Sequence, residues 1–128
     1  MARAQNVKNL TTEKIGITIL KNKLKNFIVP NKEEKEYIFN TLGIDTKKYS
    51  RSIDGVQLIV PTAFDVKGAE DCLLVEIKTT NAKNVKELPY NVFFGITKNE
   101  EDLFKEHCNY RLCIVHTGKN EFKLLTFK

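Results

Sequence analysis

Apolar side chains recur along this chain with two periods, and the change from one to the other comes near residue 50. Before it, Ile17, Leu20, Leu24 and Ile28 fall at helical spacing. Asn9-Leu10-Thr11-Thr12 offers capping side chains ahead of Glu13, so the spacing predicts a helix over 12–27. The β-branched run Ile15-Gly16-Ile17-Thr18-Ile19 argues for a strand instead. Pro30 stops this element. Lys32 to Leu42 reads as a second helix with Tyr37, Ile38 and Leu42 on its apolar side, closed by Gly43 as a C-terminal cap. Residues 1–9 are polar and are expected to fray.

After residue 50 the texture is that of strands. Val56-Gln57-Leu58-Ile59-Val60 is a strand ended by Pro61, and Pro61 to Asp71 is a turn region. Cys72-Leu73-Leu74-Val75-Glu76-Ile77-Lys78 is apolar on both faces until Glu76, the mark of a central strand covered on both sides. Asn91 to Thr97 reads as a further strand. Thr97-Lys98-Asn99-Glu100 then forms a capping box that opens a helix to about Cys108. Tyr110 to His116 and Glu121 to Phe127 are two closing strands joined at Gly118-Lys119-Asn120. Helices, strands, one helix and a final strand pair predict an α/β or α+β fold, a mixed sheet flanked by helices.

Length fits this picture. At 128 residues the chain suffices for one domain with a core and not for two. The apolar fraction of 41% is that of a soluble protein. No apolar run approaches the roughly 20 residues that cross a bilayer, and the first residues lack the apolar stretch of a secretion signal. A cytoplasmic or nucleoid-associated protein is expected. Cys72, Cys108 and Cys113 form no CxxC pair and no zinc-finger spacing with His107 or His116, and read as buried free thiols. The net charge of +5, from 21 basic and 16 acidic residues, suits a polyanionic partner without demanding one.

One group of charges interrupts the apolar strands. If strands 52–60 and 72–80 form a hairpin centred near residue 66, Asp54 lies opposite Lys78 with Glu76 diagonal to it. All three have the same parity and share one face, while Asp65 sits at the far tip. Two carboxylates and a lysine on an apolar strand pair need a reason, since burying charge without partners is costly. A divalent cation supplies one: Mg²⁺ prefers oxygen ligands, one or two carboxylates with water and substrate phosphate. It lowers the pKa of a bound water, and an adjacent lysine can orient or deprotonate that water or neutralise the charge that develops on phosphorus. The same residues also read without chemistry. Asp54-Gly55 is a strong hairpin-turn dipeptide, and Glu76 and Lys78 could be an ordinary edge pair.

Asp54 followed by a strand, then Leu73-Leu74-Val75-Glu76-Ile77-Lys78-Thr79-Thr80, resembles the PD-(D/E)xK nuclease superfamily with its restriction-endonuclease-like fold. Phe93-Phe94-Gly95-Ile96-Thr97-Lys98-Asn99-Glu100, a helix, and Tyr110-Arg111-Leu112-Cys113-Ile114-Val115 resemble the branch that includes Mrr-like and NO VEIN C-terminal domains. There an Asn-Glu pair opens the helix after the third strand. The likeness covers roughly residues 50–117. It implies that Asp54 and Glu76 hold the metal, that the Ile77 carbonyl is a third ligand, and that Lys78 is the catalytic lysine. Such folds often add a glutamate from the first helix: Glu13 is the first choice and Glu36 the alternative, although an acid in the first turn is also what the helix dipole favours. Glu100 reads as a capping residue. Ile53 stands where the superfamily name has proline, and the loop from Asp54 to Glu76 is long. Size and charge, but not detailed motifs, resemble Holliday-junction resolvases.

Lys47, Lys48 and Arg51 precede Asp54, and Lys83 and Lys86 follow the motif strand. They are candidates for phosphates flanking the cut bond, or simply a solvated surface. Phe93, Phe94, Phe122 and Phe127 read as core. The expectation is therefore a Mg²⁺-dependent endonuclease of restriction or repair type (Mn²⁺ substituting), acting on DNA as a homodimer or with a partner specificity subunit. The alternative is a non-catalytic nucleic-acid-binding or protein-interaction subunit on the same fold.

Overall fold

The computed structural model describes residues 14–80, 96–118 and 121–126. Helix α1 covers 14–23 there. It stops short of the expected 27 because Asn26 takes a left-handed conformation (φ 60°), which asparagine tolerates. The chain then turns into a two-residue strand β1, Phe27–Ile28. Ile28, expected on a helical face, instead pairs with Val56 in a sheet. The backbone of an open sheet edge outweighed helical spacing here.

Helix α2, Lys32–Leu42, has the expected bounds. Asn31 and Glu34 form a reciprocal capping box at its start, and Gly43 closes it at φ 73°. A short helix α3, Thr46–Tyr49, follows, capped by Asp45. Strand β2 is Gly55–Leu58. Two single 3₁₀ turns fill the segment before strand β3, Cys72–Thr80. Helix α4, Lys98–Glu106, starts at the Thr97–Glu100 capping box. Strands β4, Tyr110–His116, and β5, Glu121–Leu125, close the described chain. The expected strand over 91–97 lies outside the described residues except for Ile96 and Thr97, which belong to no element.

The fold is α+β. Among the described residues five strands form one mixed sheet in the order β1-β2-β3-β4-β5, with helices against it. Of these strands only β3 and β4 run parallel. Parallel neighbours need a crossover between them, and α4 belongs to it. Alternation along β3 divides the core. Leu74 and Cys72 join the cluster of Ile38, Phe39, Leu103 and Tyr110, on the side of α2 and α4. Val75 and Ile77 join Ile19, Leu20, Phe27 and Cys113, on the side of α1. On that second face a methyl group at Gly16 would stand 3.0 Å from Ile77 and 3.1 Å from Thr79, so α1 lies close against β3. Phe122 packs on this cluster as expected; Phe93, Phe94 and Phe127 lie outside the described residues.

The hairpin-turn alternative for Asp54-Gly55 does not hold. Neither residue has the positive φ that such a turn requires. Gly55 is instead the first residue of β2, where any side chain would run into the Phe27 ring. The cysteine reading needs one correction: Cys72 and Cys113 are buried, but Cys108, just past the end of α4, is exposed.

Candidate functional site

The β2–β3 hairpin pairs Gly55 with Val75, two residues tighter than the centring near residue 66 assumed. Continued by one residue, this register sets Asp54 opposite Glu76 rather than Lys78. A shift of two keeps every side chain on its face, so the expected convergence survives. Asp54 sits just beyond the strand. Its amide donates to the Val75 carbonyl at 2.8 Å, and its Oδ2 accepts the Ile77 amide at 2.7 Å. The carboxylate thereby replaces the ladder bond that a longer β2 would have made. The Ile77 side chain packs into the cluster on the opposite face.

Glu76 and Lys78 point to the α2–α4 side. Glu76 is 6% exposed. Lys78 Nζ lies 3.5 Å from Glu76 Oε2 and 3.0 Å from Glu100 Oε1. Glu100, read from the sequence as a cap, is that and more. Its Oε1 accepts the Thr97 amide at 3.0 Å, and the same atom meets Lys78. At 5% exposed it is as buried as Glu76. A capping glutamate usually faces water, so its burial under α4 is what the sequence did not announce. Three carboxyls, from just before β2, from β3 and from α4, thus gather at Glu76, and Lys78 meets two of them, Glu76 and Glu100.

Burial pushes the Glu76 carboxyl far up, to about 11, and the neighbouring Glu100 and Asp54 carboxyls push the same way. Glu100 goes the other way. Burial raises it, but hydrogen bonds from the Glu76 carboxyl, the Thr97 amide and Lys78 outweigh that, and it stays ionised. Burial likewise pulls Lys78 down, and its contacts with Glu100 and Glu76 more than restore it, so it stays a cation. With Glu76 holding a proton, the firm ion pair is Lys78–Glu100, the shorter of the two contacts. Glu76 Oε1 is buried and has no hydrogen-bond partner. Two of the groups that crowd it, Asp54 and Glu100, are themselves carboxyls. A proton, a bound water or a cation would each relieve that arrangement, and the surrounding carboxyls favour the proton or the cation.

A second lysine, missed in the sequence, borders the site. Lys35 of α2 donates to the Ser50 carbonyl at 2.7 Å. It is half-buried, and desolvation lowers it against the opposing pull of Asp54 and Glu76. In the sequence it is one more polar position on a helix, with nothing to distinguish it. Tyr110, beneath the cluster, donates its hydroxyl to the Ser52 carbonyl at 2.7 Å.

Other candidates divide. Glu36 is exposed on α2 and does not join the carboxylates. Lys47, Lys48 and Arg51 are exposed on α3 and the turn after it, and Lys48 lies 5.0 Å over the Tyr49 ring. Glu13, Lys83 and Lys86 lie outside the described residues. The described part of α1, which follows Glu13, packs on the opposite sheet face from Glu76.

The acid oxygens suit a hard cation better than a soft one. Among the described residues no three His, Cys, Asp or Glu stand arranged as a ready ligand group. Mg²⁺ needs no such group, since one or two carboxylates with waters and a phosphate suffice. Asp54 and Glu76, with an unpartnered Oε1, fit that smaller requirement. Among the described residues no helix is long and apolar enough to cross a membrane. The chain matches no family model, no curated protein and no solved structure.

Proposed function

We propose that the protein is a Mg²⁺-dependent endonuclease that hydrolyses phosphodiester bonds of DNA by attack of water at phosphorus. The observation that carries this reading is the buried Glu76 Oε1 without a partner, beside Asp54 and Lys78 on one face of the sheet. Asp54 and Glu76 would hold the ion, with the Ile77 carbonyl as a further oxygen of the resemblance to PD-(D/E)xK nucleases. The ion would supply a water of lowered pKa and charge stabilisation at the phosphate.

The chain's own residues set the rest. Asp54 is fixed by the Ile77 amide, so its carboxylate enters the site in one orientation. Lys78 is held as a cation by Glu100, which fits it for neutralising charge on the phosphorane rather than for taking a proton from water. Glu100 is a positioning residue in this scheme. The net charge of +5 favours a polyanionic substrate.

Incubation with supercoiled, linear and branched DNA in Mg²⁺ or Mn²⁺ tests the reading. Asp54→Ala, Glu76→Ala and Lys78→Ala should each reduce cleavage at least about 100-fold while circular dichroism shows a retained fold. Full activity in the Glu76 variant sinks the mechanism. A second reading rests on the same closed network. The contacts of Lys78 with Glu76 and Glu100 could serve only to join α4 to β3, in a non-catalytic nucleic-acid-binding or protein-interaction subunit. Calorimetric titration with Mn²⁺ distinguishes them, since that subunit has no use for an ion at Glu76.

A further inference from the structure

Next to the carboxylate cluster, between α2 and α3, lies a cavity of about 510 Å³. Among the described residues Lys32, Lys35 and Lys47 line it, with Glu36 as the one acidic side chain and Thr46 and Ser50 as polar neighbours. Three lysines against one glutamate leave the cavity basic. Lys32 and Lys35 stand three apart on α2 and so project from one side of it. Lys47 comes from α3, across the cavity. Lys35 ties this space to the candidate site. Its ammonium is close enough to interact with Asp54 and Glu76, and it is anchored on the Ser50 carbonyl at 2.7 Å. An ammonium carries three N–H groups, so that one bond leaves it able to bind an anion as well.

We propose that this cavity is a phosphate subsite, which takes a backbone phosphate of the DNA strand next to the one that meets Asp54, Glu76 and Lys78. The assignment of the ligand as DNA rests on the nuclease reading; the affinity for phosphate rests on the cavity itself. Lysine recognises phosphate as a point charge and contributes position and affinity rather than sequence preference. Lys35, shared between cavity and cluster, aligns the strand, while Lys32 and Lys47 hold it from the solvent side.

The test measures binding without cleavage. A fluorescent DNA oligonucleotide is titrated with the full chain in EDTA over a series of salt concentrations. The double variant Lys32→Gln/Lys47→Gln, both residues being exposed, should weaken binding about tenfold or more. It should also flatten the dependence of log affinity on log salt by roughly 0.9 for each phosphate that is no longer neutralised. The matched control Lys21→Gln/Lys23→Gln removes the same charge from exposed positions of α1, a helix packed on the other sheet face, and should leave the slope unchanged. Inorganic phosphate should shift the amide signals of Thr46, Lys47 and Ser50 in a nitrogen–proton spectrum, and have no such effect on the cavity variant. Equal weakening in the two double variants overturns the subsite, because charge anywhere would then serve. So does wild-type affinity in the cavity variant. Binding that follows the cavity with no cleavage in Mg²⁺ leaves the subsite standing and removes the nuclease reading. Cleavage with unchanged binding in the cavity variant does the reverse.

Discussion

The two faces of β3 begin alike and end differently. Toward α1, Val75 and Ile77 remain apolar and close-packed as far as Thr79, where Gly16 brings the helix backbone near. Toward α2 and α4, Cys72 and Leu74 are equally buried, but the next two positions on that face are Glu76 and Lys78. One strand thus carries a purely apolar face and a face that turns from core to charge within two residues. Burial is nearly the same: Val75 is 0% exposed and Glu76 6%. The cost is not, because a buried carboxyl without a donor is expensive. The α1 face secures the strand, and that security is what allows the other face to hold charge.

The comparison can be broken from either side. The largest stability loss should come from the apolar face. Leu20→Ala, which removes a fully buried α1 side chain, should cost about 2–5 kcal/mol in denaturant unfolding. Cleavage per folded molecule should hold. A proportionate loss of specific activity would show that the faces are not independent.

On the charged face the sign reverses. The folded-state pKa of Glu76 is raised above its unfolded value, to about 11. Above the unfolded value near pH 4.5 the native chain keeps a proton that the unfolded chain releases. Stability in EDTA should therefore fall as pH rises through the neutral range. Glu76→Gln needs no such proton and should be more stable than wild type by up to about 3 kcal/mol at pH 7. The gain should vanish near pH 4, and Mg²⁺ should raise the melting temperature of wild type but not of the variant. A variant less stable than wild type at pH 7 would mean that the site holds an ionised Glu76 without strain.

Gly16→Val sharpens the comparison at the α1–β3 contact. The added methyls meet Ile77 and Thr79, and overpacking should cost about 1–3 kcal/mol, read as a shift in melting temperature. The smallest effect belongs to neither face. Lys105→Ala removes the exposed 2.6 Å contact with Glu101 along α4, which water screens, and should leave the melting temperature unchanged within error.

Particular residues show why part of this was legible and part was not. Thr97 and Glu100 announced the start of α4 because a capping box is local chemistry, complete within four residues. Gly43 marked the end of α2 for the same reason, while the Asn31–Glu34 box at its start was not read in the sequence. Asp54, Glu76 and Lys78 could be grouped because side chains alternate along strands, and parity survived a pairing register wrong by two. Ile28 was misplaced because a two-residue edge strand has no periodicity to read; its hydrogen bonds to β2 define it. Lys35 carried no signal at all, being distinguished only by what α2 packs beside.

What the sequence determined by itself was local or periodic: the Gly43 cap of α2 and the capping box of α4, the central strand that turns charged at Glu76, and the shared face of Asp54, Glu76 and Lys78. The tertiary structure decided what stands around that face. The capping residue Glu100 is buried against Lys78 and Lys35 comes up beside the carboxyls. Glu76 is left with a buried oxygen that has no partner among the described residues. The physical reason is distance along the chain. Caps and alternation act over a few residues, while apart from Lys78 the groups around Glu76 stand 22 or more positions away, and only strand pairing and the packing of α2 and α4 on the sheet bring them within reach.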